Sequence, residues 1–380
     1  MDSYQQCSNC VLDTKDDARI SFNVEGVCDY CTSYFDNYVV NAPSKEELDK
    51  KLKKSIAIIK ESARGKKYDS IMGVSGGVDS TYLALKAKEW GLNPLLVHFD
   101  NGWNSELAVQ NINAIIDYTG FELYTYVVDW EEFRSLQLSF IRSGVLDWEL
   151  PTDHGFYACL FNQAYKRGIT AILTGHNYQT EAILPKTMRW SKMDVANIID
   201  INKKFGSRKI KSFPLLPFWK STYYNFVSEN KRFNLLEYID YDKEKAKSDI
   251  INIIGWKDYG GKHYESFFTK FYQSYTLYKK FGVDKRKAHL SNLICSDQIT
   301  KEQAIHELKS LPYEEISIEQ DIDYFIKKME ISRNEFDLLM AEKPVSHLVY
   351  KSYETGLYRT HEKVMRKLKP LTSIIKKLMN

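Results

Sequence analysis

Short apolar runs alternate with amphipathic stretches through the middle of the chain. Ser70 to Val74 is mostly apolar and follows the charged Lys66-Lys67-Tyr68-Asp69, as a buried strand of a parallel sheet would. Ser80 to Trp90 reads as a helix: Tyr82, Leu83, Leu85 and Ala87 are apolar, Lys86, Lys88 and Glu89 are left for solvent, and Gly91 is placed to end it. A strand at Pro94 to Asp100, a helix at Glu106 to Tyr118 closed by Gly120, and a strand at Leu123 to Val128 continue the alternation. Helical stretches at Trp130 to Arg142 and Thr152 to Lys166 precede a further strand at Ile169 to Leu173. Strands separated by helices predict an α/β fold with a doubly wound, mostly parallel sheet.

The flanks read differently. Ser44 and Glu47 form a capping-box pattern, and Leu48, Leu52, Ile56 and Ile59 share one face, so residues 41–65 predict a connecting helix with solvated lysines. From about Lys211 the alternation breaks down at Pro214-Leu215-Leu216-Pro217, and a mainly α-helical region rich in aromatics follows. Phe267, Phe268, Phe271, Tyr272, Tyr275 and Tyr278 recur at helical spacing and are read as core. Three units are expected: residues 1–40, 41–212 and 213–380.

Composition narrows the class. The 43% hydrophobic and 27% charged content of the 380 residues is ordinary for a globular protein. No apolar run approaches the ~20 residues of a membrane span, and Met1 to Gln6 shows no signal-peptide pattern, so a cytoplasmic protein is expected. A net charge of +3 is too small to argue for nucleic acid by itself.

Cys7-Ser8-Asn9-Cys10 and Cys28-Asp29-Tyr30-Cys31 are separated by seventeen residues. Two C-x-x-C knuckles at this spacing match a zinc ribbon, in which Cys7, Cys10, Cys28 and Cys31 fill a closed tetrahedral shell and the metal supplies folding energy. Disulfides are the alternative, disfavoured in a chain with no secretory signal.

Between the first strand and its helix stands Ser75-Gly76-Gly77-Val78-Asp79-Ser80. Two glycines let backbone approach a ligand, free N–H groups at the helix start favour an anion, and Ser75 and Ser80 add hydroxyl donors. Asp79 would repel a phosphate unless a divalent cation lay between them, which implies magnesium. The run is neither a Walker A loop nor a dinucleotide fingerprint. In such sheets ligands sit beyond the carboxyl ends of the strands, which makes Asp100 to Gly102 and Thr174 to Asn177 further candidates. His176 is equally readable as a satisfied polar group at a strand end. Lys262 and His263 after a glycine pair, with Lys285 and Arg286 further on, could clamp a diphosphate, or form a solvated charge run.

At Ser75 to Ser80 the chain resembles the PP-loop ATP pyrophosphatases, which cleave ATP between its α and β phosphates. The resemblance implies nucleotide contacts at Val74, Ser75, Gly76, Gly77, Val78, Asp79 and Ser80, with Ser75, Asp79 and Ser80 in catalytic roles. His98, Phe99 and Asp100 fall at the family's adenine edge, where a strand-end histidine and aromatic can equally be packing. Gly175 to Glu181 resembles the family's second loop, which implies that Gly175 and His176 approach the adenosine and that Glu181 helps Asp79 hold Mg2+. The four-cysteine ribbon, the glycine loop, Tyr259 to Ser266 and Lys285 to Leu290, in that order, resemble the bacterial N-acetyl sugar amidotransferases of surface-polysaccharide and flagellar-glycan biosynthesis. That likeness spans nearly the whole chain and implies sugar contacts at Lys262, His263, Glu265, Lys285 and Arg286.

The implied activity turns an acetamido group of a nucleotide-activated sugar into an acetamidino group, with ATP, Mg2+ and Zn2+ as cofactors. An amide oxygen is a poor leaving group; carrying AMP, it becomes a good one, and ammonia displaces it. Neither Cys159 nor Cys295 sits in a glutaminase-like setting, so a separate glutaminase subunit is expected to supply the ammonia, with the basic segment Tyr358 to Asn380 readable as its dock, as a solvated tail or as a weak membrane-surface helix. A PP-loop tRNA-modifying enzyme is the alternative. Its sulfur-inserting version is disfavoured, because no C-x-x-C pair remains outside the ribbon.

Overall fold

The computed structural model describes residues 4–226, 230–261 and 264–355. Among the described residues two α-helices, α1 (Asp29–Phe35) and α2 (Lys45–Ser62), precede the sheet, and the expected Ser44–Glu47 capping box starts the second. Next come β1 (Ser70–Gly73), α3 (Val78–Glu89), β2 (Pro94–Asp100), α4 (Glu106–Thr119), β3 (Leu123–Val127), α5 (Trp130–Arg142), α6 (Leu150–Lys166) and β4 (Ala171–Leu173). The rest contributes α7 (Tyr178–Glu181), α8 (Val195–Phe205), α9 (Phe218–Phe226), β5 (Lys231–Phe233) and α10 (Lys243–Ile254). Six more helices follow: α11 (Phe267–Phe271), α12 (Leu277–Phe281), α13 (Arg286–Cys295), α14 (Lys301–Glu307), α15 (Ile318–Met329) and α16 (Arg333–Ala341).

The five strands among the described residues form one parallel sheet in the order β3-β2-β1-β4-β5, with Ile71 paired to Leu95 on one side and to Ile172 on the other. The apolar runs are buried on both faces because successive side chains point opposite ways. Ile71, Leu95 and Val97 join Phe133, Ala158 and Phe161 of α5 and α6, whereas Met72 and Leu96 join Leu83, Ala84, Ile112 and Ile115 of α3 and α4. The chain winds outward from β1 to β3 and then returns to the opposite side at β4. That reversal opens a crevice beyond the carboxyl ends of β1 and β4, where ligands bind in sheets of this kind.

One strand departs from the expectation. β5 lies beyond residue 212, in the stretch read as helical, and it extends the sheet next to β4. Its exposed Lys231 and Arg232 give it no apolar signature, as suits a short edge strand. The aromatic set is core: Phe268, Phe271 and Tyr272 are buried, and their rings pack on Trp103, Phe325 and Trp148. No helix among the described residues is long and apolar enough to cross a membrane. The segment from Tyr358 to Asn380, the candidate dock, lies outside the described residues, as do Lys262 and His263.

Candidate active site

The glycine loop fills the turn between β1 and α3. Gly76 has φ +79°, and a Cβ there would lie 2.6 Å from the Ala108 carbonyl oxygen, so α4 itself demands a glycine. Its carbonyl accepts from Trp256 Nε1 at 2.9 Å. Gly77 caps α3, and its open side faces Ser75 Oγ, Tyr259 and Glu265. Ser75 Oγ accepts from Gly77 N at 3.3 Å, and Ser80 Oγ donates to the Gly77 carbonyl at 3.2 Å, so both hydroxyls stand over the helix start.

Asp79, in the first turn of α3, is held by partners from distant segments. Tyr241 donates its hydroxyl to Oδ1, and Asn177 Nδ2 reaches the same oxygen at 3.4 Å. Burial, with the Asp79 carboxylate, pushes the Tyr241 pKa up, which keeps the phenol a neutral donor. A Cβ on Gly175 would sit 3.3 Å from Asp79 Cβ, so glycine is what lets the β4 loop lie against the start of α3. Asn177 also caps α7, accepting from Thr180 N at 2.9 Å, and α7 ends on Glu181.

One cavity of about 630 Å³ gathers these groups. Val74, Ser75, Gly77, Val78, Asp79, Ser80, Gly175 and Glu181 line one side. Glu149, Thr152 and Asp153 at the start of α6, Lys243 and Lys247 of α10, and Tyr259, Glu265, Gln273 and Lys285 complete it. Burial, then the Glu265 and Asp79 carboxylates, push the Tyr259 pKa up. Lys247 pairs with Asp258 at 2.6 Å, and Lys243 Nζ donates to His289 Nε2 at 3.3 Å.

The remaining sequence-predicted residues fall elsewhere or have settled partners. His98 lines the cavity, but Nδ1 donates to the Val74 carbonyl at 3.1 Å and Nε2 lies 3.0 Å from Asn104 Nδ2, contacts that orient the ring and tie β2 to β1. Phe99 borders the cavity while packing on Tyr126, Phe133 and Phe213. Asp100 does not line it: Oδ1 closes a turn by accepting from Gly102 N at 2.9 Å and Asn104 Nδ2 at 3.0 Å. His176 also stands outside the lining, half-exposed, with Nδ1 3.4 Å from Glu237 Oε1; that carboxylate raises its pKa. Arg286 corrects the clamp reading. Its guanidinium folds back onto Asp284 at 2.7 Å and the Ser310 carbonyl at 2.9 Å, because an acid two residues upstream captures it. Only Lys285 of that pair faces the cavity.

Asn177, in the stretch expected to follow β4, does reach the site, whereas Glu149, Gln273, Tyr241, Lys243, Lys247 and Tyr259 were not singled out as site residues. Pro151, an expected marker of a helix start, was the one signal near Glu149.

The sulfurs of Cys7, Cys10, Cys28 and Cys31 all lie within 4.8 Å of one another, and all four residues are buried. None of the six cysteines is in a disulfide. Cys7 Sγ accepts from Asn9 N, Cys10 N and Cys28 N at 3.2 to 3.4 Å, the backbone support a metal-bound thiolate needs. The donor set fits zinc. The cluster rests on α13: Val11 N donates to Ser291 Oγ at 3.4 Å, Cys295 Sγ lies 3.5 Å from Cys31 Sγ, and Lys287 pairs with Asp13 at 2.6 Å and with Asp16. On its other side α13 holds α7. Asn292 Oδ1 accepts from Ile183 N at 2.8 Å, Asn292 Nδ2 donates to the Tyr178 carbonyl at 3.0 Å, and Ser296 Oγ donates to the Gln179 carbonyl at 2.9 Å.

Residues 265–365 match the family described as "LPS biosynthesis protein WbpG-like, C-terminal domain". The C-terminal part of the chain is thus similar to a WbpG-like domain. The match takes in Glu265, Gln273 and Lys285, so the WbpG-like domain forms one wall of the cavity opposite the glycine loop. No curated protein matches the chain in sequence. Among solved structures, an NH3-dependent NAD synthetase from Campylobacter jejuni is similar at 14% identity and a TM-score of 0.28, over 36% of this chain and 59% of that one. NMN synthetase from Francisella tularensis is similar at 14% identity and a TM-score of 0.29, over 58% of this chain and 99% of its own.

Proposed function

We propose that the protein is an ATP-dependent, AMP-forming amidotransferase acting on the acetamido group of a nucleotide-activated sugar in lipopolysaccharide or flagellar-glycan biosynthesis. One observation carries this reading: the Ser75–Ser80 loop and the WbpG-like domain open onto the same cavity.

The loop N–H groups, the α3 N-terminus and the Ser75 and Ser80 hydroxyls receive the β and γ phosphates. Asp79 and Glu181 line the same cavity, and these two carboxylates are the residues that would hold magnesium. Magnesium, when bound there, supplies charge neutralisation for the departing pyrophosphate. Residues of the WbpG-like wall, Glu265 and Lys285 among them, orient the sugar so that its amide oxygen meets the α phosphorus. AMP on that oxygen makes it a leaving group, and ammonia replaces it. Residues 1–40 act as a zinc ribbon supporting the ATP-binding and sugar-binding units. Ammonia comes from a separate glutaminase: Cys159 and Cys295, the two cysteines outside the ribbon, are both buried, and burial pushes the Cys159 thiol up to about 12.

The test is mass spectrometry of acetamido-sugar nucleotides incubated with the protein, ATP, magnesium and ammonium. The expected product carries NH in place of the amide oxygen and one added positive charge, with AMP and pyrophosphate released in equal amounts. AMP release that depends on tRNA and ignores every sugar nucleotide would replace this reading with the tRNA-modifying one.

A further inference from the structure

The first turn of α6 brings into the cavity a carboxylate that the ATP half of the chemistry does not use. Glu149 is the N-cap of α6, yet its side chain accepts no hydrogen bond from the helix N–H groups, the usual task of an acid at that position. It is only 8% exposed, and it lines the cavity. Gln273 Nε2 donates to Oε2 at 2.8 Å, and Lys285 Nζ stands 3.9 Å away, at the outer limit of an ion pair. Lys192, the other cation nearby, is engaged by Asp147 at 2.6 Å and Asp153 at 2.9 Å. Glu149 is therefore held in place by a neutral amide and one distant lysine, both from the WbpG-like domain. Burial raises its proton affinity, with Lys285 opposing and Asp153 adding to the rise.

We propose that Glu149 is the base that takes the proton from the attacking ammonia in the second half of the reaction, with Gln273 and Lys285 as positioning residues. This assignment rests on the amidotransferase reading above. The nitrogen lone pair forms a C–N bond to the activated amide carbon, and a proton passes from the resulting ammonio group to the Glu149 carboxylate. The C–O bond to AMP then breaks, AMP leaves with the bonding pair, and the carbon keeps two nitrogens as an amidine. A carboxylate whose proton affinity is raised above the ordinary range is better matched to that task than an exposed one. Glu265, an acid that the WbpG-like wall contributes to the cavity, lies at Gly77 and Tyr259 on the phosphate side.

Two rates measured on Glu149→Gln separate the steps. Sugar-dependent exchange of labelled pyrophosphate into ATP, run without ammonium, reports adenylylation alone. Amidine formation reports both halves. The expected result is exchange near the wild-type rate, with ammonium-dependent product formation lowered by about a hundredfold or more, the usual contribution of a positioned base. Hydroxylamine should restore most of the lost rate, because the N-hydroxy ammonio group it forms on attack is acidic enough to lose its proton to water without a positioned base. Glu149→Asp, which keeps the carboxylate, should recover part of the ammonium-dependent rate, and Gln273→Leu should fall between the two. Glu149→Gln with its ammonium-dependent rate intact, or with exchange lost in the same proportion, overturns the assignment and leaves the amidotransferase reading standing. Wild-type protein that shows no exchange with any acetamido-sugar nucleotide overturns both.

Discussion

Tyr241 donates its hydroxyl to Asp79 across 162 residues of sequence, and so ties the segment after β5 to the first turn of α3. The carboxylate is thereby oriented by a neutral donor before any ligand arrives. Asp79→Asn is expected to keep its melting temperature and lose pyrophosphate release. Tyr241→Phe should be milder, lowering kcat by about tenfold, as the loss of ~1.5 kcal/mol from one hydrogen bond to a charged group would. A coupled pyrophosphate assay reads both, and wild-type turnover in Asp79→Asn would remove that carboxylate from the site.

Stability should fall on mild acidification because two histidines are buried neutral. His154 Nε2 accepts from Leu216 N at 3.0 Å, and His347 Nε2 accepts from Asp147 N at 3.3 Å, so a proton on either nitrogen would face a donor. Burial pushes both rings down to about 4. The unfolded chain, with ordinary histidines, binds more protons between pH ~6.5 and about 4, so the stabilisation is complete above that window and lost as pH falls through it. Each ring contributes on the order of 3 kcal/mol. Urea unfolding at pH 7 and pH 5 should show the decline, and His154→Gln should flatten it.

The purified protein should hold about one zinc per chain. Elemental analysis checks the stoichiometry. Cys28→Ser should lose the metal and lower the melting temperature, while Cys7 and Cys31 of the folded wild type should resist alkylation.

Asn292→Ala tests whether α13 supports the magnesium side of the cavity. The change leaves the buried Ile183 N–H without its acceptor and should cost about 1–3 kcal/mol. Since α7 ends on Glu181, the same variant should need more magnesium for half-maximal rate while its KM for ATP moves less. Equal shifts in both would make Asn292 a packing residue only.

How far the sequence revealed this site depended on how its chemistry is spread. Six contiguous residues with fixed roles announce a phosphate loop, and the strand runs around them are apolar because both faces of the sheet are covered. Glu149 and Gln273 meet across 124 residues, and each alone looks like any polar residue on a helix. Arg286 was misread for a local reason. A basic residue at a helix start suggests an anion site, and nothing in the spacing tells whether Asp284 turns back to take it. β5 escaped because an edge strand of three residues with two charges carries neither the period nor the apolar run that marks a strand.

The seat of the ribbon on α13 bears on how the protein can be divided. Removing residues 1–40 would bare Leu290, Ile294, Cys295 and Ala304, which now pack against Val11 and the cysteine cluster, and would strand Lys287 without Asp13 and Asp16. A shortened chain would present that apolar face to other copies of itself and precipitate. The first forty residues therefore act as a solubility determinant for the far end of the polypeptide, and a library of N-terminal truncations should show an abrupt loss of soluble yield once Val11 is gone.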